Sequence, residues 1–142
     1  MKVKDIMTTD VAVVAPTVTV LDAAKRMRDL DVGVLPVCDG KRLVGMVTDR
    51  DITIRATAEA RDPSNTTVRD CMTPELDYCF EDQSDVEAEQ IMAEKQIRRL
   101  PVLTREKQLA GIVSLGDIAT QGGKLEETGR TLREISEPAN EK

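Results

Sequence analysis

Apolar residues along this chain fall into short runs and helical stripes that follow a fixed order, and the order then repeats. Val11-Ala12-Val13-Val14 is a β run stopped by Pro16. Thr17 or Thr19 next offers an N-cap to a helix whose Val20, Ala23, Ala24, Met27 and Leu30 share one face. Val34-Leu35-Pro36-Val37-Cys38 and Leu43-Val44-Gly45-Met46-Val47 flank an Asp39-Gly40 turn and predict a β-hairpin. Thr48 caps a further helix running through Ile52 and Ile54 toward Ala58, which gives a β-α-β-β-α unit. The second half repeats this order: a strand near Leu76 to Phe80, a helix from Ser84 to about Gln96, strands at Arg99 to Leu103 and Leu109 to Val113, and a helix from Ser114 stopped by Gly122-Gly123. Pro36 and Pro101 inside strands predict a local edge or a bulge, because proline cannot donate to a ladder.

The repetition extends to individual residues. Val3, Asp5, Met7 and Thr8 return as Val68, Asp70, Met72 and Thr73, and Leu35-Pro36-Val37 as Leu100-Pro101-Val102, all 65 positions on. Leu43, Gly45, Val47, Asp51 and Ile52 return 66 positions on as Leu109, Gly111, Val113, Asp117 and Ile118. Duplicated units bury against each other what neither buries alone, so a pseudo-twofold pair with two equivalent clefts is expected. The divisions read as repeat 1 over 1–60, a turn-rich linker over 61–67, repeat 2 over 68–121, and an acidic, partly disordered tail over 122–142.

Composition narrows the chemistry. With no histidine, the chain lacks Ser-His-Asp and Cys-His nucleophile pairs and imidazole metal ligands, which argues against most hydrolases. Cys38, Cys71 and Cys79 are odd in number and lack metal-ligand spacing, so neither a zinc site nor a disulfide framework is expected; a Cys71 to Cys79 or Cys38-linked redox bridge is the minority alternative. With a net charge of −6 and no long apolar segment, neither a nucleic-acid nor a membrane partner is expected, and the reading is a soluble, cytoplasmic protein. Met7, Met27, Met72 and Met92 read as core, and Asp22, Glu87, Glu89 and Glu94 as solvated helix faces.

The chemistry concentrates at two strand-to-helix junctions, Gly45-Met46-Val47-Thr48-Asp49-Arg50-Asp51-Ile52 and Gly111-Ile112-Val113-Ser114-Leu115-Gly116-Asp117-Ile118. A hydroxyl delivered to a helix start, near free backbone N–H groups, suits a phosphate. An Asp three residues later can accept from the vicinal hydroxyls of a ribose, and the preceding glycine is expected to leave room for a flat base. The alternative is that Ser/Thr-x-x-Asp is only a capping box, and both roles can coexist.

With the two Leu-Pro-Val segments and the two Asp-x-Met-Thr starts, these junctions closely resemble the CBS domain, named for cystathionine β-synthase, in a tandem pair or Bateman module of the stand-alone bacterial or archaeal type. The resemblance covers residues 3 to about 120 and implies an α/β (α+β) fold of two β-α-β-β-α repeats with small sheets packed on helices. It also implies a non-catalytic module that binds an adenine nucleotide such as AMP, ADP or ATP, or another adenosyl ligand such as NAD or S-adenosylmethionine. No cofactor is required, and a homodimer with an unidentified protein partner is expected. Carried over by position, the main cleft combines Met46, Thr48, Arg50 and Asp51 with Thr73, Asp77, Ile97, Arg98 and Arg99. The second, ranked lower, combines Ile112, Ser114 and Asp117 with Asp10, Ala12, Val32 and Gly33. Arg98 and Arg99 stand where repeat 1 has Gly33 and Val34, and Arg50 stands where repeat 2 has Gly116, so the phosphate is expected in the first cleft. The alternative for Arg98 and Arg99 is a solvated edge paired with carboxylates. A second functional reading is an oligomeric interaction or redox-responsive scaffold with degenerate nucleotide pockets.

Overall fold

The computed structural model describes residues 1–74, 76–121 and 125–138, and the side chains of all of these except 125–127. Gly122-Gly123 and the last four residues of the expected tail lie outside the described residues. The fold is mixed α/β, with a two-stranded and a three-stranded sheet among helices. Its compact units do not follow the repeats: one is Ala12–Leu76, the other joins Met1–Val11 to Asp77–Lys142.

In the unit Ala12–Leu76, α1 is Val20–Leu30. Thr19, not Thr17, is its N-cap, the hydroxyl accepting from Asp22 N–H at 3.1 Å. Ala23 and Met27 reach the core with Val14, Leu35, Val37, Val47 and Val68, while Leu30, expected on the same face, is 49% exposed in the last turn. Strands β1 (Val34–Asp39) and β2 (Arg42–Thr48) pair antiparallel around the turn, where Gly40 has φ +65°. The expected strand Val11–Val14 reduces to one parallel bridge, Val14 to Val37, because the chain crosses the hairpin edge and Pro16 then turns it toward α1. Beyond β2, α2 (Asp49–Ile52) widens into a π-helical turn, Thr53–Thr57, over the β-branched run Ile52-Thr53-Ile54, and α3 is Val68–Cys71.

The other unit opens with a 3₁₀ turn over Val3–Asp5. Strand β3 shrinks to Cys79–Phe80 and runs parallel to β4 (Arg99–Leu103), which pairs antiparallel with β5 (Leu109–Ser114). Pro101 falls just before β4 gains its second partner at Val102, and both proline strands shift register one residue past the proline, at Val37/Cys38 and Val102/Leu103. Helices α4 (Asp85–Lys95) and α5 (Leu115–Gln121) cover a core that includes Val3, Ile6, Met92, Leu100, Val113 and Ile118. Within the acidic tail, expected to be partly disordered, Leu125–Ser136 form a helix, α6, packed on α4. Its Ile135 joins the core, and Gln96 Nε2 donates to the carbonyls of Glu134 and Glu137 at 3.2 and 2.9 Å. Glu89, expected in solvent, is therefore buried, accepting from the Thr128 hydroxyl at 2.7 Å, whereas Asp22, Glu87 and Glu94 are exposed.

Candidate functional site

Each unit contains one of the two strand-to-helix junctions with the Ser/Thr-x-x-Asp pattern, and the two are built alike. In the unit Ala12–Leu76, Thr48 N–H donates to Asp51 Oδ2 at 2.9 Å and Asp51 N–H to Thr48 Oγ1 at 3.0 Å. In the other unit, Ser114 N–H donates to Asp117 Oδ2 at 2.9 Å and Asp117 N–H to Ser114 Oγ at 3.0 Å. The capping boxes therefore exist, and each aspartate gives them one oxygen. Oδ1 of Asp51 and of Asp117 accepts nothing from the described residues, and both side chains are half-buried. A carboxylate held by one oxygen and open at the other can serve a helix and a ligand together.

The glycine upstream has a different role from the one expected. A Cβ on Gly45 would lie 2.7 Å from Met72 Sδ and 3.0 Å from Thr73 O, and one on Gly111 would lie 2.5 Å from Thr8 O and 3.0 Å from Met7 Sδ. The space is thus filled by a Met-Thr arm rather than left for a base. Met46 and Thr73 exchange two backbone hydrogen bonds at 3.1 and 2.8 Å, and Ile112 and Thr8 exchange two at 3.0 and 2.8 Å. Each arm begins one sequence repeat and lies on the junction of the other.

The two helix starts differ in electrostatics. Asp49 N–H donates to Gly33 O at 3.0 Å, Arg50 N–H to Asp49 Oδ1 at 2.8 Å, and Asp51 N–H to Thr48 Oγ1, so α2 offers none of the expected free amides. At α5, Leu115 N–H donates to Arg98 O at 2.8 Å, but Leu115 stands in the place of Asp49, so no neighbouring carboxylate answers the Gly116 amide. Arg99 pairs directly with Ser114 across β4 and β5, which puts their side chains on one sheet face. Arg98 and Arg99 are exposed, and neither guanidinium makes an ion pair or hydrogen bond among the described residues; the same holds for Arg50. Of the solvated-edge alternative, the exposure of both arginines is present, while the pairing with carboxylates is absent among the described residues.

Placed by unit, Met46, Thr48, Arg50, Asp51 and Thr73 come together, with Gly33 beside them through its carbonyl. Ile112, Ser114 and Asp117 come together with Thr8, with Arg99 paired to Ser114 and Arg98 bonded through its carbonyl to Leu115 N–H; Arg98 and Arg99 belong to this unit, and Thr48 and Asp51 to the other. Ile97 precedes them, its N–H bonded to Met92 O at 3.0 Å. Asp77 is exposed in the same unit as Ile97 and pairs with Lys95 at 3.8 Å. Asp10 is exposed near the end of the Met1–Val11 segment, while Ala12 and Val32 belong to the unit of Thr48. All three thiols are buried, and burial raises their pKa values, that of Cys79 up to about 12. Among the described residues no three carboxylates or thiols are grouped to hold a metal ion, and no helix is long and apolar enough to cross a membrane.

Two junctions of this kind, each a hydroxyl, a carboxylate and a glycine under a Met-Thr arm, define a tandem-repeat regulatory module. The CBS domain model matches residues 3–56 and 68–122, and the chain belongs to the CBS-domain family. Members of this family are generally non-catalytic regulatory modules. The chain is 45% identical over 134 residues to the CBS domain-containing protein YhcV of Bacillus subtilis, covering 94% of each. It resembles the crystal structure of Hypoxic Response Protein I with two coordinated zinc ions, at TM-score 0.77 and 38% identity over 85% of this chain and 98% of that one. It also resembles CBSX2 in complex with AMP, at TM-score 0.73 and 30% identity over 84% of this chain and 93% of that one. The zinc ions of the former have no matching group of three ligands among the described residues here.

Proposed function

We propose that the protein is a nucleotide-responsive module and that a phosphorylated adenosine such as AMP binds at the Ser114–Asp117 junction. The observation that carries this reading is the unpartnered guanidinium of Arg99, the cross-strand neighbour of Ser114, together with the equally unpartnered Arg98 that precedes β4 and is bonded through its carbonyl to Leu115 N–H. Arginine forks match phosphate oxygens, and leaving two of them unpaired in a chain of net charge −6 is what an anion-binding surface requires. Asp117 Oδ1 then accepts from the ribose. The Thr48–Asp51 junction has one arginine against two carboxylates, Asp49 and Asp51, so it ranks below Ser114–Asp117 for a phosphate although its ribose acceptor is equivalent. The AMP held by a 30%-identical neighbour supports the class of ligand, while ADP, ATP, NAD and S-adenosylmethionine share the adenosyl part. The same reading includes a homodimer, which light scattering tests.

Calorimetric titration with AMP of the wild type, Asp117→Asn and Asp51→Asn tests the assignment. Asparagine keeps an oxygen for the cap but turns a donor outward, so a lost ribose bond is separated from a lost helix cap. Asp117→Asn lowers affinity by about tenfold, the worth of one charge-assisted hydrogen bond, and Asp51→Asn by much less. The reverse order would move the phosphate to the Thr48 junction; no effect of either would leave both motifs as caps. The redox-responsive scaffold finds no support in the thiols, which are buried and held protonated.

A further inference from the structure

The two Met-Thr arms are laid on their strands alike but are not held alike. In the unit Ala12–Leu76 the π-helical turn after α2 aims Arg55 at the arm, and its Nη1 donates to Cys71 O at 3.0 Å and Met72 O at 2.9 Å. These carbonyls lie at the end of α3, where no helical amide remains to answer them. Next to this contact, Ile52, Ala56, Cys71 and Val20 form a small core of their own, so α2, the π turn and α3 share one apolar seam. In the other unit, Gln121 occupies the place of Arg55, 66 positions on as Asp117 is from Asp51. Among the described residues it makes no side-chain hydrogen bond, and no side chain donates to the carbonyls of Ile6 or Met7.

We propose that Arg55 is a positioning residue: it latches the Met72–Thr73 arm onto β2 and thereby sets the Thr48–Asp51 junction, a latch without a counterpart at the Ser114–Asp117 junction among the described residues. The chain of contacts is continuous. Arg55 holds Met72 O; Met72 Sδ is set against Gly45; Thr73 exchanges backbone bonds with Met46; Met46 lies two residues from Thr48, whose amide closes the box with Asp51. This inference stands on the geometry of one unit and goes beyond the nucleotide reading.

Amide hydrogen exchange of the full chain, resolved by residue, tests it with Arg55→Met and Arg55→Lys. In Arg55→Met the Thr73 and Met46 amides exchange at least about tenfold faster, the effect of removing the charge-assisted hydrogen bonds to Cys71 O and Met72 O, and the Thr48 and Asp51 amides follow. The Ala23 amide, bonded to Thr19 O in α1, keeps its wild-type rate and reports the unit as a whole. Arg55→Lys, which keeps a cationic donor, gives a smaller rise and covers the case in which the methionine variant does not fold. The proposal is overturned if the Thr73 rate stays at the wild-type value, if Thr48 and Asp51 stay protected while Thr73 opens, or if Ala23 accelerates with the rest. Because no ligand enters the measurement, the absence of AMP binding in calorimetry would remove the nucleotide reading without touching the latch.

Discussion

Gly45 and Gly111 carry the tightest constraint on residue identity at either junction, and the reason is the backbone of the arm rather than a ligand. A methyl group on Gly111 would sit 2.5 Å from the Thr8 carbonyl oxygen, so backbone has to move; on Gly45 the nearest atom is the end of the flexible Met72 side chain, at 2.7 Å. Gly111→Ala therefore destabilises by about 1–3 kcal/mol, the usual cost of overpacking, and Gly45→Ala by less. Urea unfolding of both variants checks the order, and equal midpoints with wild type would contradict it. The sequence already displayed both glycines, both Met-Thr pairs and both Ser/Thr-x-x-Asp boxes. Residue chemistry alone does not say which Met-Thr pair serves which glycine, because duplication gives every arm two identical partners; the family resemblance does, setting Thr73 with Met46 as the structure has it. The engagement of the α2 amides was hidden for a similar reason: Asp49 reads as an ordinary first-turn acid until its Oδ1 is seen on the amide of Arg50.

Among the elements, helix starts dominate local stability, and several depend on ionised carboxylates. Asp70 has its pKa lowered chiefly by the Thr67 hydroxyl and then by the Thr67 amide in the α3 box, and Glu87 by the Gln83 amide group and then Ser84 N–H at the start of α4. Asp62 is lowered by Ser64, and Asp82 by Arg105. A carboxylate whose folded pKa lies below its unfolded value contributes stability at pH above the unfolded value, about 4, and loses it as pH falls through the folded one. Melting temperature is therefore expected to hold between about pH 7 and 5 and to fall as the solution is acidified below about 4, with Thr67→Ala and Gln83→Ala reducing the acid dependence. Circular-dichroism melts across this range check it; a melting temperature that rises on acidification would contradict it. Hairpins and central helices were legible because turn chemistry and apolar period agreed, as at Asp39-Gly40 and in Ala23 and Met27. The C-terminal helix was legible only in part: Leu125, Leu132 and Ile135 fall at helical spacing, but Gly129 and Pro138 weaken the pattern, and its partner, α4, is distant in sequence. Once α6 is in place, the burial of Glu89 follows.

At the scale of the whole molecule, the chain spends its duplication on two junctions of equal architecture and unequal charge. One has Arg99 across the sheet from Ser114, with Arg98 just before it; the other has Arg50 between Asp49 and Asp51, with Arg55 fixing its arm. The central claim is that the first recognises a phosphorylated nucleoside, and the most direct measurement compares AMP with adenosine by calorimetry on the wild-type protein. Charge-assisted bonds from two guanidiniums make AMP bind at least about tenfold more tightly, with the preference shrinking as salt is raised. Equal affinities for the two, or an AMP affinity that ignores salt, would contradict the account.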